Sequence, residues 1–366
     1  MITIPNAKLI ENAMKTPTLT IAGRTIGPGN PPYVIAEMSG NHNGDKARAL
    51  SLIEVAAKMG ADAVKLQTYT ADTITLDHDG PGFTVEGGLW DGRRLYDLYE
   101  EAHTPWGWHA DLFARGRELG VAVFSSPFDD TAVDFLEGLD CPAYKIASFE
   151  AMDLPLIRKA AATGKPLIIS TGMISVDEID TLMVTLAEFG ATDVALLHCV
   201  SAYPAPVAAS NLSTIPAMAA RWNAIVGLSD HTPGTAVSVA AVTLGAALVE
   251  KHLCLARADG GVDSAFSLEP MELGALVTDC RAAWEALGSV RFGRQAAAET
   301  SITSRRSLYV VADIRAGESL TRANVRSIRP GYGLAPTHLD KVLGRPAARD
   351  ISRGAPLTWA DIDQEA

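Results

Sequence analysis

Eight short apolar segments recur at near-regular intervals between residues 33 and 255, and this repetition limits the possible folds more than any other feature of the sequence. Each segment is rich in Val, Ile, Leu and Ala, and polar residues or Gly and Pro follow it, which is typical of a buried strand. In chain order the segments are YVIAEMSG, DAVKLQTYT, VAVFSSPF, AYKIASFE, PLIISTGM, DVALLHCVSAY, AIVGLSDHT and ALVEKHLCL. We therefore predict eight buried strands.

Helical periodicity occupies the intervals between these segments. The stretch KARALSLIEVAAKMG carries apolar residues along one stripe and ends at Gly60, and SVDEIDTLMVTLAEFG begins with a capping box of Ser175 and Glu178. Alternating strands and helices indicate a parallel sheet, and eight strands are the number that closes a (β/α)8 TIM barrel. An open doubly wound sheet is the alternative, but no G-x-G-x-x-G motif follows any predicted strand.

The sequence pattern changes after about residue 290, where the polar and basic stretch RFGRQAAAETSITSRRS follows the predicted barrel. The C-terminal part then repeats a half-motif, since DIRAGESLTRANV and DISRGAPLTWADI match at Asp, Ile, Gly, Leu, Thr and Ala. Such a repeat predicts a small β-rich domain with a pseudo-twofold axis. The predicted organisation is a hairpin cap (1–32), a barrel (33–290), a linker (291–306) and the small domain (307–366).

Charge and composition exclude several classes of partner. The net charge of −12 argues against binding to nucleic acid or to an anionic membrane surface. The N-terminal stretch lacks the long apolar core of a signal peptide, and no segment approaches the roughly 18 apolar residues of a membrane span. The four cysteines form no C-x-x-C motif, which is typical of reduced and buried thiols. These features predict a cytoplasmic protein.

Polar side chains follow all eight predicted strands. In a (β/α)8 barrel the loops after the strands build the active site, so we expect these residues to converge on one rim. Residues two apart share a face of a strand, which places Ser229 with His231 and Glu250 with His252. The candidate site residues at the strand ends are Glu37, Lys65, Gln67, Lys145, Ser148, Glu150, Ser170, Ser201, Tyr203, Ser229, His231 and His252.

Two histidines among these residues are candidates for metal binding. His231 and His252 end neighbouring predicted strands, so that their imidazoles could meet at one ion. Two neutral imidazoles leave coordination positions for water and for substrate oxygens, as a catalytic site requires. The alternative is that each is a hydrogen-bonded histidine of the rim.

Lys65 and Lys145 lie within apolar segments, and a buried lysine requires a partner. A ligand with phosphate and carboxylate groups would pair with both. Ion pairs with Glu37 or Glu150, or a Schiff-base lysine, are the alternatives. Glu150 follows a strand and could act as a general acid or base, or it could cap the next helix, a position that Asp153 also offers.

Several of these segments resemble the motifs of the sialic acid synthase family. IAEMSGNHNG, VKLQTYTADTITL, FSSPFD, YKIASFE, LIISTGM, GLSDHT and EKHL follow one another in the family's order. The C-terminal part resembles the antifreeze-like (SAF) domain of these synthases, and the resemblance extends from about residue 33 to the end of the chain. It implies a TIM barrel followed by an SAF domain.

The resemblance implies an enzyme that joins phosphoenolpyruvate to the open-chain aldehyde of a six-carbon amino sugar, with addition of water and release of phosphate. It implies a divalent ion on His231 and His252, Mn2+ by family habit, with Mg2+ or Co2+ as alternatives. Glu150 would activate the water, and Lys145 would also belong to the catalytic group. The implied contacts are Lys65, Lys145, Ser148, Ser170 and Ser229 for phosphoenolpyruvate, with Ser201 at the position of one further phosphate contact, and Glu37, Gln67 and Tyr203 for the sugar. Asp263 is a candidate for contact with the sugar or with the shell of the metal.

Within the family, AEMSGNHN, QTYTADT and SAYPAP most resemble the pseudaminate branch, whose sugar is 2,4-diacetamido-2,4,6-trideoxy-L-altrose. The N-acetylneuraminate and legionaminate branches are the alternatives, and they tend to carry Asn where this chain has Ser201. The family resemblance also implies a domain-swapped homodimer, in which the SAF domain of one subunit covers the barrel mouth of the other. Arg329 in IRPGYG matches the arginine that reaches across to an acylamino group of the sugar.

Two other functions fit the residues taken alone. A Schiff-base aldolase would use Lys65 or Lys145 on the same barrel. A non-catalytic sugar-binding protein would be built around the C-terminal repeat. Formation of a covalent lysine adduct would identify the aldolase. Failure to release phosphate from phosphoenolpyruvate would identify the binding protein.

Overall fold

The computed structural model describes residues 16–293 and 295–363. Eight parallel strands form a closed barrel in chain order, because the last of them pairs with the first. This confirms the predicted (β/α)8 barrel and rules out the open sheet. Strands β1 (Leu19–Ile21) and β2 (Arg24–Ile26) precede it, and its own strands are β3 (Tyr33–Glu37), β4 (Ala63–Thr68), β5 (Ala122–Pro127), β6 (Tyr144–Ile146), β7 (Leu167–Ser170), β8 (Val194–Cys199), β9 (Ile225–Asp230) and β10 (Leu248–His252).

Helices connect the strands where the sequence periodicity predicts them. The predicted capping box is present, since the Ser175 hydroxyl accepts the backbone N–H of Glu178 and the Glu178 carboxylate accepts that of Ser175. The helix that follows β6 begins after Asp153, whose carboxylate accepts the Leu156 N–H. The helices of this part are α1 (Lys46–Lys58), α2 (Ala71–Ile74), α3 (Leu95–Ala102), α4 (Trp106–Leu119), α5 (Asp130–Glu137), α6 (Leu154–Ala161), α7 (Val176–Glu188), α8 (Thr214–Trp222), α9 (Ala236–Thr243) and α10 (Pro270–Leu287).

The first two strands pair as an antiparallel hairpin, within the segment that the sequence predicts as a cap. Leu19, Ile21 and Ile26 are buried in the same apolar core as the barrel strands. Arg24 forms an ion pair with Asp62, which stands just before β4. The hairpin therefore lies at the N-terminal end of the barrel, opposite the rim on which the polar strand ends converge. Residues 1–15 of the predicted cap lie outside the described residues.

Close packing fills the barrel interior. A Cβ atom added to Gly227 would lie 2.6 Å from the Leu248 carbonyl oxygen and 2.7 Å from Leu197 Cδ2, so only glycine fits at this point of β9. The polar residues that follow Gly227 are consequently held at the rim by a strand with little room to shift. Among the described helices, none is both long and apolar enough to span a membrane.

A long connection between β4 and α4 contains the short helices α2 and α3, which the sequence analysis did not predict. Between them, Thr84 and Arg94 form an antiparallel bridge, and Val85 exchanges backbone hydrogen bonds with Arg93 and Gly92. These bonds define a hairpin over residues 83–95, which we call the β4–α4 hairpin.

The chain divides into two units at the bond between Gly288 and Ser289. This division is close to the predicted end of the barrel at residue 290. The predicted linker contains a short 3-10 helix, Ala296–Ser304. The second unit contains β11 (Ser307–Val310), β12 (Val325–Ile328) and the one-turn helix α11 (Leu339–Val342).

The internal repeat produces paired contacts in the second unit. Ile314 and Ile351 exchange backbone hydrogen bonds in both directions, at 2.9 and 2.8 Å. The carboxylates of Asp313 and Asp350 each accept a hydrogen bond of 2.7 Å from a backbone N–H of the opposite copy. Because equivalent residues make equivalent contacts, the two copies are related by the approximate twofold symmetry that their sequences predict.

Candidate active site

The strand register brings the predicted polar residues to one end of the barrel. His252 lies opposite Glu37 on the neighbouring strand, and Glu37 lies opposite Lys65 on the next. Glu250 lies opposite Ser229 on the other side of β10. Since these are the carboxyl ends of parallel strands, the side chains lie where barrel enzymes place their active sites.

Four buried charges form the centre of this rim. The Lys65 ammonium lies 2.8 Å from Glu37 Oε2 and 3.5 Å from Glu250 Oε1. The Lys145 ammonium lies 3.4 Å from the same Glu250 oxygen. The ion pair of Lys65 with Glu37 is thus one of the alternatives that the sequence left open, whereas Lys145 pairs with Glu250 and not with Glu150. All four side chains are at most 4% exposed.

The two lysines differ in their electrostatic surroundings. Burial favours the neutral form of Lys65, but Glu250 and Glu37 outweigh it and hold the pKa of Lys65 above its ordinary value. Burial lowers the pKa of Lys145, which Glu250 only partly opposes. The contact from Lys145 to Glu250 is long for a hydrogen bond. Lys145 therefore keeps donor capacity for an anionic ligand.

Serine hydroxyls surround the two lysines. β6 ends at Ile146, and Ser148 begins a short 3-10 helix. In a regular strand Ser148 and Lys145 would point to opposite faces, and the helical turn instead brings Ser148 to the rim. The Ser148 hydroxyl accepts the Gly172 N–H at 3.2 Å. Ser170 is buried at the end of β7, and its hydroxyl has no partner among the described residues. A buried hydroxyl without a partner can donate to a phosphate or carboxylate oxygen of a ligand.

Two further serines complete this group. Ser229 donates to Glu250 Oε1 at 3.2 Å, so it lies beside the charge cluster. A Cβ atom at Gly172 would lie 2.7 Å from the Ser201 hydroxyl oxygen, which shows how closely the ends of β7 and β8 approach each other. Five of the predicted ligands for phosphoenolpyruvate are thus buried or partly buried side chains of adjacent strand ends: Lys145, Ser148, Ser170, Ser201 and Ser229.

The rings of His231 and His252, at the ends of the neighbouring strands β9 and β10, have their centroids 5.3 Å apart. Nδ1 of His231 lies 3.0 Å from the Val200 carbonyl oxygen, which can only accept a hydrogen bond. Nδ1 therefore carries a proton, and Nε2 has a free lone pair when the ring is neutral. Nδ1 of His252 is buried with no hydrogen-bond partner among the described residues, and it lies 3.9 Å from Asp263 Oδ2.

These two imidazoles fit a divalent ion of the kind that the family resemblance implies. Burial lowers the pKa of His252 well below its usual value, and His231 nearby adds to this, so the His252 imidazole is neutral. His231 shows the backbone hydrogen bond that commonly orients a metal-binding histidine. In the described part of the chain no three His, Cys, Asp or Glu side chains form a ready-made metal site. Water or substrate oxygens would have to supply the remaining ligands.

Glu150 stands at the edge of this group, at the end of the 3-10 helix Ser148–Glu150. Asp153 caps the next helix, so that the Glu150 carboxylate is not used as a cap. Its Oε2 atom is buried with no hydrogen-bond partner among the described residues. Burial raises the pKa of Glu150 to about 7, while Lys145 opposes the shift. A carboxyl group of this kind can exchange a proton near neutral pH.

The predicted sugar ligands line the other side of the histidines. Gln67 donates to Glu37 Oε1 at 2.9 Å, and the Ser39 hydroxyl donates to Asp263 Oδ2. The Tyr203 ring lies 4.5 Å from the His231 ring, measured between centroids. Arg329 is not among the residues that the barrel brings together, because it is an exposed residue of the second unit.

The sequence analysis missed two aromatic residues of this site. Phe266 packs 4.8 Å from His252 and 5.4 Å from Tyr203, and Trp90 of the β4–α4 hairpin lies 5.5 Å from Tyr203. Both are distant in sequence from the strand ends, so no local pattern identified them. Glu250, which the sequence pattern places on the same face as His252, was not among the candidate site residues, although it contacts both buried lysines.

The fold and this site define a class of protein, a (β/α)8-barrel enzyme with a charged site at the carboxyl ends of its strands. Residues 52–292 match the NeuB family and residues 305–363 match the SAF domain. The chain therefore belongs to the NeuB family, which confirms the resemblance to sialic acid synthases.

Individual relatives cover almost the whole chain. The pseudaminic acid synthase of Campylobacter jejuni subsp. jejuni serotype O:23/36 is 42% identical over 330 residues, which are 90% of this chain and 96% of that protein. The pseudaminic acid synthase of Helicobacter pylori is 40% identical over 336 residues, 91% of this chain and 98% of that protein. The crystal structure of N-acetylneuraminic acid synthetase from Leptospira borgpetersenii, in complex with citrate, matches with a TM-score of 0.70 and 30% identity, covering 78% of this chain and 95% of that one.

Proposed function

We propose that the chain is a pseudaminic acid synthase, which condenses phosphoenolpyruvate with 2,4-diacetamido-2,4,6-trideoxy-L-altrose to give pseudaminic acid and phosphate. The observation that carries the proposal is the 40–42% identity to two pseudaminic acid synthases over about nine-tenths of the chain. The buried lysines, hydroxyls and histidines of the barrel rim supply the groups that this chemistry needs.

Phosphoenolpyruvate would bind where the two buried lysines meet the serine hydroxyls. Its phosphate and carboxylate are oxyanions, which accept strong hydrogen bonds from ammonium and hydroxyl groups. Lys145 and Ser170 support this placement, since the first has a long contact to Glu250 and the second has an unpartnered hydroxyl. Lys65, Ser148, Ser201 and Ser229 complete the proposed set.

The sugar would bind with its aldehyde beside His231 and His252. A divalent ion bound there, Mn2+ or alternatively Mg2+ or Co2+, would act as a Lewis acid toward the aldehyde oxygen. Gln67 and Glu37 would orient the sugar through their amide and carboxylate groups, and the Tyr203 ring would contact its carbon face. Asp263 would bind a sugar hydroxyl or a water molecule beside the histidines.

The reaction forms a carbon–carbon bond from C3 to the aldehyde carbon and a carbon–oxygen bond from water to C2, and it breaks the bond from C2 to the phosphate oxygen. The aldehyde oxygen takes up a proton and becomes a hydroxyl group. C3 of phosphoenolpyruvate attacks the aldehyde carbon, and positive charge develops at C2. A water molecule then adds to C2 and gives its proton to Glu150, and phosphate leaves from the resulting tetrahedral carbon. Burial raises the pKa of Glu150 to about 7, so this carboxylate is a stronger base than an exposed one.

The proposal includes a domain-swapped homodimer. Arg329, exposed in the second unit, would reach the barrel of the partner subunit and bind an acylamino oxygen of the sugar. A guanidinium group is suited to this task because it offers several donors in a fixed plane. The isolated barrel should therefore lose sugar affinity.

Phosphate release in a panel of sugars tests the function. The purified protein is incubated with phosphoenolpyruvate, Mn2+ and one of three sugars: the altrose derivative, the legionaminate precursor or N-acetylmannosamine. The highest kcat/KM is expected with the altrose derivative, and EDTA should abolish turnover until Mn2+ is restored. A preference for another sugar would move the chain to that branch, and no release with any sugar would favour a binding protein.

A Schiff-base aldolase remains the second candidate, because burial lowers the pKa of Lys145 and so favours a neutral amine. Borohydride reduction in the presence of a keto substrate would trap such an intermediate. A stable adduct on Lys145, together with full activity in EDTA, would support the aldolase. The metal-dependent condensation predicts that no adduct forms.

A further inference from the structure

The chain buries a second ion pair directly behind the two histidines. Asp230 and Lys251 lie opposite each other in the register of β9 and β10, and the Lys251 ammonium is 2.9 Å from Asp230 Oδ2. Their side chains are 1% and 0% exposed. Each immediately precedes one of the histidines in the sequence. Because side chains alternate along a strand, this pair points away from the barrel interior toward helix α9.

The hydrogen bonds of this pair go to Thr232, the residue after His231, and to Ser238 on helix α9. Asp230 Oδ1 accepts both the backbone N–H and the hydroxyl of Thr232, each at 2.8 Å, so its carboxylate spans His231. Asp230 Oδ2 accepts the hydroxyl of Ser238, on α9, at 2.5 Å. The Lys251 ammonium also donates to the Thr232 carbonyl oxygen. The network therefore joins the ends of β9 and β10 to each other and to a helix.

Stability alone does not account for this arrangement. Burying two opposite charges costs about as much solvation energy as their attraction returns, and well-packed apolar residues of similar volume are often equally stable. What an ion pair adds is directionality, since its hydrogen bonds tolerate little change in distance or angle. Here the directional contacts fix the backbone on both sides of His231 and next to His252.

We propose that Asp230 and Lys251 are positioning residues, which hold the two imidazoles at the separation and orientation needed to share one divalent ion. This inference rests on the metal site of the proposed function. It assigns a task to a residue pair that touches neither substrate nor metal. The network acts through the strand ends, in the way that hydrogen-bonded groups behind a metal ligand fix its ring orientation.

A double substitution, Asp230→Leu with Lys251→Met, tests the inference. Removing both charges together avoids leaving one of them buried and unpaired. The melting temperature is expected to fall, because Thr232 and Ser238 lose the acceptor of their buried hydrogen bonds. In the folded variant, Mn2+ affinity is expected to fall by about 10-fold to 100-fold. Free Mn2+ is measured by electron paramagnetic resonance, and the visible spectrum of the Co2+-loaded protein reports the geometry of the ligands.

The matched control is the ion pair at the opposite end of the barrel. Arg24→Met with Asp62→Asn removes charges that also join neighbouring segments, and the Asn side chain can still accept the Val34 N–H. This control should leave Mn2+ affinity and the Co2+ spectrum unchanged. Should the double variant fail to fold, Ser238→Ala removes one hydrogen bond to Asp230 and is expected to weaken Mn2+ binding by a few fold, about 3-fold to 10-fold.

The outcomes separate this inference from the proposed function. Unchanged Mn2+ affinity and an unchanged Co2+ spectrum in a folded variant, with normal binding by the wild type, overturn the positioning role and leave the synthase intact. A wild type that binds no Mn2+ overturns both the metal site and the inference. Metal binding without phosphate release from any sugar contradicts the synthase, and the Mn2+ affinities of the variants then still decide the positioning role.

Discussion

Lys65 and Lys145 are both buried lysines at the barrel rim, yet their surroundings shift their pKa values in opposite directions. Glu250 and Glu37 outweigh burial and keep the pKa of Lys65 high, whereas burial lowers the pKa of Lys145. Lys65 is therefore positively charged at neutral pH. Glu250 opposes this lowering only in part, so the proposed anionic ligand would further stabilise the ammonium form of Lys145.

The clearest prediction for a single residue concerns His252. His252→Ala removes a neutral imidazole with an unpartnered Nδ1 atom, and it should abolish turnover and weaken Mn2+ binding by more than about 100-fold. His198→Gln is the control, because the His198 ring contacts the Ser210 carbonyl oxygen at 2.6 Å and belongs to no group of the proposed site. Binding is measured by isothermal titration calorimetry. Retained Mn2+ affinity in His252→Ala would refute the ligand role.

Glu150 gives a prediction on pH dependence. As a base it must be deprotonated, and its pKa of about 7 means that kcat should fall as the pH decreases through about 7. An exposed carboxylate would lose activity only below about pH 4–5. Glu150→Gln should lower kcat by about 100-fold to 10,000-fold and remove this acidic limb. A variant that keeps the wild-type pH profile would show that another group is the base.

At the scale of secondary-structure elements, the β4–α4 hairpin is the part of the site that the sequence pattern did not predict. Its base is held by Arg94, which pairs with Asp77 and with Asp79. Its Trp90 indole donates to the Val262 carbonyl oxygen at 2.7 Å, which brings the Trp90 ring beside Tyr203. The hairpin thus adds the aromatic side chain of Trp90 to a site that is built mostly from strand ends.

Trp90→Ala tests whether the Trp90 ring contacts the sugar. Loss of one aromatic contact is expected to cost about 1.4 kcal/mol, which raises the sugar KM by about tenfold. The KM for phosphoenolpyruvate should not change, because the contacts of Trp90, with Tyr203 and Val262, include none of its proposed ligands. Leu89→Ala is the control, since Leu89 is a 44% exposed neighbour on the same hairpin. Equal changes in both KM values would mean that the hairpin acts on the site as a whole.

At the scale of the whole molecule, the barrel unit and the SAF unit carry different proposed tasks. The barrel supplies the buried charges, the hydroxyls and the histidines. The SAF unit has its own small core, which includes Leu308, Val310 and Leu357. Its proposed contribution to catalysis is Arg329, and the swapped dimer would place this residue at the barrel of the other subunit.

Mixing two inactive variants tests the swapped dimer. Arg329→Ala keeps an intact barrel, and His231→Ala keeps an intact Arg329. If the arginine acts on the partner, a heterodimer has one complete site, and an equilibrated equimolar mixture should reach about one quarter of the wild-type activity at low sugar concentration. Activity no higher than that of the separate variants, with heterodimers demonstrated by mass spectrometry, would show that Arg329 acts within its own subunit or not at all.

The sequence by itself determined the barrel, the helix caps and the rim on which the site lies. These features depend on interactions between residues close in the chain, such as the apolar runs of the strands and the Ser175 capping box, so periodicity and spacing reveal them. The polar residues at each strand end were likewise predictable, because all parallel strands of a closed barrel end at the same face.

Only the tertiary structure decided which of these residues meet. The partner of Lys145 is Glu250, 105 residues away, and not the nearby Glu150, because the closed barrel sets β10 opposite β6 and the two side chains meet across its interior. The register of β9 and β10 likewise sets Lys251 opposite Asp230, behind the histidines. Contacts of this kind depend on strand register and on the packing of distant segments, and a single sequence carries no local signal for them.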